Sequence, residues 1–191
     1  MGNVIRRNNI TGGKIILTKK NTKIIKIEHN NKLRKYRDIL IELTKVCEPS
    51  DEFNPEIKEP NEIFWIAQYK KDIIGYIKST DLDLYKGESN FELLGGIGGK
   101  KGLQISGACN GIPDKYSNLA TLLLVEIEEY AKSNGYEYIL LHAGTNRGYL
   151  IDDNSERKGL YIKNGYKKIR ILKAGEGNFS DIDLWIMHKL L

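Results

Sequence analysis

The chain has 191 residues, with 30 Lys and Arg against 25 Asp and Glu and a formal charge of +5, a length within the usual range of about 50–250 residues for one compact domain. No repeat divides it, no apolar run approaches the ~20 residues that would span a bilayer, and the first residues lack the apolar core of a signal peptide. Cys47 and Cys109 are the two cysteines and lie far apart, so a disulfide framework is not expected and a reducing, cytoplasmic compartment is.

In chain order, branched apolar residues near 14–18 and 23–28 predict two strands. Basic residues gather there (Arg6, Arg7, Lys14, Lys19, Lys20, Lys23, Lys26), but without aromatic interleaving or a nucleic-acid-binding motif, so a solvated basic face is the reading and nucleic acid is disfavoured as a partner. Leu33, Tyr36, Leu40 and Leu43 share one face of a helix near 33–46. Pro49, Pro55 and Pro60 make 48–62 an irregular acidic loop. Its carboxylates either keep it solvated or attract a cationic amine.

Segments 63–69 and 73–79 read as an antiparallel hairpin turning at Lys70, Lys71 and Asp72. Residues 85–102 are glycine-rich (Gly95, Gly96, Gly98, Gly99, Gly102), yet no phosphate-loop or dinucleotide fingerprint fits them. They read as an insertion, the tip of a hairpin between strands at Phe91–Leu94 and Leu103–Ala108.

The span from Ile112 to Tyr166 is the most informative. A turn over 112–120 leads into a helix from Leu119 to Ser133, with Leu119, Leu122, Leu123, Ile127, Tyr130 and Ala131 at helical spacing and Asn134-Gly135 as its stop. The first turn of such a helix carries unpaired N–H groups and the positive end of the macrodipole, which attract anions, phosphate above all. An apolar strand comes next at 136–143, then a loop at 144–153, a short helix ending in Tyr161 and Gly165-Tyr166, and strands at 166–173 and 181–191.

Three elements of this span resemble the GNAT superfamily of acetyl-CoA-dependent N-acetyltransferases. They are the loop Lys115 to Ala120, the pair Leu123-Leu124, and the closing motif Asn154, Arg157, Leu160, Tyr161, Gly165, Tyr166. The chain departs from the family pattern in three places. Asn118 stands where the family has its first loop glycine, and Asn is the non-Gly residue that most readily takes a left-handed backbone. Lys115 replaces Gln or Arg, keeping a donor without the planar fork. Arg157 replaces a small residue.

The resemblance implies an α/β (α+β) fold, one GNAT-like domain over 1–191 with a mixed central sheet of about six to seven strands flanked by helices, and 48–62, 85–102 and 144–153 as loops or insertions. It implies acetyl-CoA as cosubstrate and transfer to a primary amine by direct attack in a ternary complex. An amino sugar or polyamine is favoured because three extra loops suggest a partly enclosed pocket. The diphosphate is expected on the backbone of Tyr116, Ser117, Asn118, Leu119 and Ala120, helped by Lys115, with Asn154 along the pantetheine arm. A backbone N–H among Asn110, Gly111 and Ile112 is expected to polarise the thioester carbonyl.

Tyr161 is placed by the resemblance beside the cofactor sulfur, and a phenol of pKa ~10 is a competent proton donor to a leaving thiolate. Its other reading is a tyrosine packed on the sheet. For the base, His142 at a strand end, Glu92 before the glycines, and a water chain are all open. His29 and His188 read as bystanders, Cys109 as a small buried strand residue, and no spacing suggests a metal site. A homodimer, a noncatalytic acyl-CoA-binding or protein-interaction member of the fold, and a nucleic-acid module remain as alternatives.

Overall fold

The computed structural model describes residues 14–47, 55–58, 61–111, 115–144, 159–176 and 183–191. Apart from two short strands, β1 (Ile15–Ile16) and β6 (Tyr116–Ser117), the described strands are β2 Thr22–Ile27, β3 Ile63–Tyr69, β4 Asp72–Asp81, β5 Gly102–Asn110, β7 Tyr138–Gly144, β8 Lys167–Leu172 and β9 Leu184–Leu190. These seven form one mixed sheet in the order β2-β3-β4-β5-β7-β9-β8. Every pairing within it is antiparallel except β5 with β7. The parallel pair is joined by a crossover helix, Leu119–Ser133 (α3), as parallel neighbours require.

Both faces of the sheet are covered, which is why β3 and β4 read as near-continuous apolar runs instead of alternating ones. On one face α3 buries Leu119, Leu122, Leu123, Leu124, Ile127 and Ala131 against Ile63, Trp65, Ile74, Ile77, Leu103, Ile139 and Leu141. On the other, Asn30–Leu33 (α1) and Arg37–Cys47 (α2) cover the β2–β5 half, with Leu33, Leu40 and Leu43 on Phe64, Ile66 and Tyr76. Thr44 of α2 adds a buried hydroxyl contact of 2.7 Å to the Tyr76 hydroxyl. Burial of each of these Leu side chains is worth roughly 1.5–3 kcal/mol, so the helices are held by this packing more than by their own propensity.

The glycine-rich segment is a correction to the expected hairpin. β4 runs on to Asp81 and pairs directly with β5, so Phe91–Leu94 forms turns, not a strand, and residues 82–101 leave and rejoin the sheet as an excursion. Leu82 and Phe91 of this excursion are buried on Tyr138, Leu140, Leu184 and Ile186, so it covers the second face of the β7–β9–β8 half as α2 covers the other half. Its glycines read as a mobile insertion in sequence, but Leu82 and Phe91 anchor it, with Leu93, Leu94 and Ile97 packed against that cluster.

Two further features differ from expectation. β1 pairs in parallel with β6, a two-residue ribbon that straps the N-terminal part of the chain to the start of α3. And Cys47, the last residue of α2, forms a disulfide with Cys109 of β5, their Cα atoms 5.8 Å apart. A separation of 62 residues hid the pair, because proximity here comes from α2 packing across the sheet. The bond removes the ground for expecting a reducing compartment. No helix among the described residues is long and apolar enough to cross a membrane.

Candidate active site

β5 and β7 pair only from Gly102↔Tyr138 to Ile105↔Leu141. Beyond that β5 continues with β4 to Asn110, while β7 continues with β9 to Gly144. The two strands therefore part, and the sheet opens between them. A register shift at Lys78/Ser79 marks the cause: Ile105 faces Ser79 and Gly107 faces Lys78, so Ser106 is an extra residue, a bulge that bends and twists β5 where it leaves β7. The bulge also reverses the facing of the residues beyond it, so that Ile105 turns to the α3 core and Cys109 to the α2 core.

Parting strands leave backbone groups without a sheet neighbour. The Gly111 N–H donates to Ile74 O at 3.2 Å. By the alternation of an antiparallel ladder, the peptide groups of Asn110 and Ala108 then turn away from β4, into the opening. Of the three backbone donors expected at the thioester carbonyl, Gly111 is thus engaged with β4, Asn110 faces the gap, and Ile112 lies outside the described residues. The Asn110 Oδ1 is buried without a hydrogen-bond partner among the described residues, which suits it to an incoming donor.

α3 begins at this opening. Its N-cap Asn118 takes φ 73°, ψ 5°, the left-handed backbone anticipated for it, and makes no side-chain cap bond to the helix. Its Nδ2 donates instead to Leu17 O at 3.3 Å. The first intrahelical bond closes at Leu122 N–H to Asn118 O, so Leu119, Ala120 and Thr121 precede any acceptor within the helix, which makes their N–H groups the anion-attracting end. The ribbon corrects the expected cradle at one position. Leu17 and Ile15 donate to the carbonyls of Ser117 and Lys115, and the parallel register gives the Ser117 amide to Ile15 O. The Ser117 amide is engaged, which leaves the turn at Asn118 and the first residues of α3 as the part of the expected cradle with N–H groups that precede any intrahelical acceptor. Lys115 lays its ammonium 5.1 Å from the Tyr116 ring centre.

Gly75 of β4 lets this turn come close. A Cβ there would sit 2.5 Å from Cys109 O and 2.7 Å from a Leu119 methyl, so a side chain at this position would push the helix start off the sheet.

A short helix, Leu160–Lys163 (α4), lies against the same end of α3, since Asn164 Nδ2 is 3.5 Å from Thr121 Oγ1 and 2.8 Å from Leu160 O. The Tyr161 ring packs edge-on against Tyr166, centroids 5.9 Å apart. Tyr166 is fully buried and its hydroxyl is pushed up by burial, so it serves the core, while Tyr161 is half-buried. Asn154 and Arg157, and the loop from 145 on, lie outside the described residues.

His142 is the first residue of β7 beyond the pairing with β5. It lies on the face covered by the glycine-rich excursion. Its Nε2 is 2.6 Å from Leu94 O and its Nδ1 3.5 Å from Gln104 Nε2. Burial holds its pKa below the usual histidine value, which keeps the ring neutral at pH 7 and able to accept a proton. Glu92 is exposed and lines a shallow depression made by Lys86, Phe91, Gly98 and neighbouring residues of the excursion, with no residue of β5 or β7 in its wall.

His188, read as a bystander to the chemistry, makes a contact with the excursion: its Nε2 is 2.5 Å from Gly95 O. Sequence carries no signal for that contact, because it depends on how the excursion folds back.

Neither a protein-family model nor a curated protein sequence matches the chain. Solved structures do. The aminoglycoside 6'-N-acetyltransferase from Enterococcus faecium superposes with a TM-score of 0.59 at 17% identity, covering 87% of this chain and 96% of that one. Arabidopsis thaliana NAA60 in complex with acetyl-CoA gives 0.60 at 13% identity over 89% and 98%. A Streptococcus pneumoniae acetyltransferase of the GNAT family gives 0.55 at 18% over 88% and 99%. The fold is that of the GNAT acetyltransferases.

Proposed function

We propose that the chain is an N-acetyltransferase moving an acetyl group from acetyl-CoA to a primary amine. The observation that carries the proposal is the opening between β5 and β7 beside an uncapped α3, in a fold shared with an aminoglycoside 6'-N-acetyltransferase complexed with coenzyme A and with NAA60 in complex with acetyl-CoA. The diphosphate rests on the N–H groups from Asn118 into the first turn of α3, with Lys115 alongside and Asn154 toward the pantetheine arm. The arm lies in the gap. There the Asn110 N–H stabilises the oxygen on which charge develops as the amine attacks the thioester carbon.

His142 takes the proton of the attacking amine, directly or through water, and Tyr161 returns one to the departing thiolate. His142 is preferred to Glu92 because it stands at the gap and Glu92 does not. The amine enters on the face bounded by α2 and the glycine-rich excursion. A small-molecule acceptor such as an amino sugar or polyamine fits that bounded approach. A peptide N-terminus is a second reading, supported by the likeness to Arabidopsis thaliana Naa50 in complex with the bisubstrate analogue CoA-Ac-MVNAL, TM-score 0.54 at 16% identity.

Calorimetric titration with acetyl-CoA, then free-thiol release over a panel of amino sugars, polyamines and short peptides, tests the proposal. Saturable binding with turnover for one class supports it. Binding without turnover across the panel identifies a noncatalytic acyl-CoA-binding member of the fold, and absence of binding overturns the reading.

A further inference from the structure

The glycine-rich excursion is gripped by three side chains of the β7–β9 pair, all acting on its backbone. His142 holds Leu94 O, His188 holds Gly95 O, and the Tyr138 hydroxyl accepts the Ile97 N–H at 2.9 Å. Gly95 lies flat on the sheet, with φ +99° and with room for no Cβ, since one would meet Ile186 and Leu140 at 2.5 and 2.8 Å. The carbonyls of Leu94 and Gly95 belong to consecutive residues, so fixing one limits the other.

A carbonyl oxygen only accepts, so each imidazole contacting one must carry its proton on Nε2. In a neutral ring that leaves the lone pair on Nδ1. We infer that Leu94 O, kept in place by His188 on the adjoining carbonyl, selects the tautomer of His142 in which Nδ1 is the proton acceptor, making His188 a positioning residue for acetyl transfer. The inference rests on the proposed reaction for its meaning, but its geometry does not.

The chain of contacts is short. His188 stands opposite Leu140 in the β7–β9 register, with one residue pair between it and the pair of His142 with Ile186, and its ring packs 5.1 Å from Tyr138. Tyr138 in turn holds Ile97, so the segment 94–97 is pinned at both ends of its polypeptide turn. Loss of the His188 contact frees Gly95 O to rotate and Leu94 O moves with it; the Gln104 amide, 3.5 Å from Nδ1, can present either its N–H or its oxygen, so His142 is then able to protonate on either nitrogen.

The test reads the tautomer directly. Long-range 1H–15N correlation spectra of the imidazoles separate protonated from unprotonated nitrogens, and three histidines are few enough to assign by single substitution. Wild type and His188→Gln, which retains an N–H donor, are expected to show His142 protonated on Nε2. His188→Leu is expected to show a mixture or the Nδ1–H form, with kcat reduced on the order of 10- to 100-fold and acetyl-CoA affinity unchanged. Nδ1–H in the wild type overturns the inference whether or not any variant folds. So does a His188→Leu protein with unaltered tautomer and kcat. If acetyl-CoA binds without turnover, the spectra still decide the tautomer, and only the proposed reaction fails.

Discussion

Asn118 is the position at which the proposed phosphate-binding geometry is most open to a quantitative test, because its backbone and its side chain contribute separately. Replacement by Gly or by Ala removes the same hydrogen bond to Leu17 O, a 3.3 Å contact of an exposed residue that is worth about 0.5 kcal/mol, the low end for such bonds. The two variants then differ in the cost of φ 73°. For Ala the left-handed region costs about 1–2 kcal/mol, while the smaller entropy of its unfolded chain returns about 0.4–1 kcal/mol relative to Gly. Asn118→Ala is therefore expected to be less stable than Asn118→Gly by about 1 kcal/mol. With a urea m-value of about 2 kcal/mol/M, the two midpoints separate by about 0.5 M. The assay is paired urea unfolding monitored by circular dichroism, with acetyl-CoA titration of both proteins. Asn118→Gly should bind within about twofold of wild type, since a factor of two is only ~0.4 kcal/mol. Equal midpoints would show that the backbone at 118 is not left-handed, and the cradle built on it would go too.

Tyr161→Phe is expected to lower kcat by on the order of 100-fold, the lower range for a general acid, with acetyl-CoA affinity unchanged by calorimetry; unchanged turnover removes the acid assignment. For His142 the sign is set by burial: its folded pKa lies below the unfolded value of about 6.5, so the neutral ring is present at pH 7 and is lost as pH falls through the depressed value. kcat/KM should fall on that acid limb, His142→Gln should flatten it, and a limb that persists in the variant belongs to another group. The same shift makes its contribution to stability complete above about pH 6.5 and lost on acidification. The disulfide between Cys47 and Cys109 closes a loop of 62 residues, for which chain entropy gives about 4 kcal/mol and measured values run about 2–4 kcal/mol. Reductant should lower the urea midpoint accordingly, and titration of two thiols in the unreduced, unfolded protein would show that the bond is absent.

Sequence carried the elements with strong local logic. α3 was legible from the spacing of Leu119, Leu123, Ile127 and Ala131 and from Asn134-Gly135, where Gly135 takes φ +73° and Tyr136 N–H closes on Ala131 O. The β3–β4 hairpin was evident in two apolar runs around Lys70 and Lys71. The left-handed turn at Asn118 could be read from residue type once the loop was aligned. What escaped was non-local. Cys47 meets Cys109 through the packing of α2, Ser117 is engaged by Ile15 through a ribbon of two residues, and His188 reaches Gly95 through an excursion whose path only the apolar face of β7 and β9 defines. The same difference separates Glu92 from His142. Both have suitable chemistry, and only the register of β5 with β7 says which one borders the opening.

The strap between β1 and β6 also governs when the turn at Asn118 comes into being. Ile15 and Ser117 of this ribbon are 102 positions apart in the chain, so closing it carries the loop entropy of more than half the polypeptide and awaits assembly of most of the sheet. On the proposed reading, competence to hold a diphosphate is then a late acquisition of folding and no property of the helix itself. An isolated peptide reproducing the turn and α3 will be blind to coenzyme A, and regain of ligand affinity during refolding will trail the recovery of helical signal.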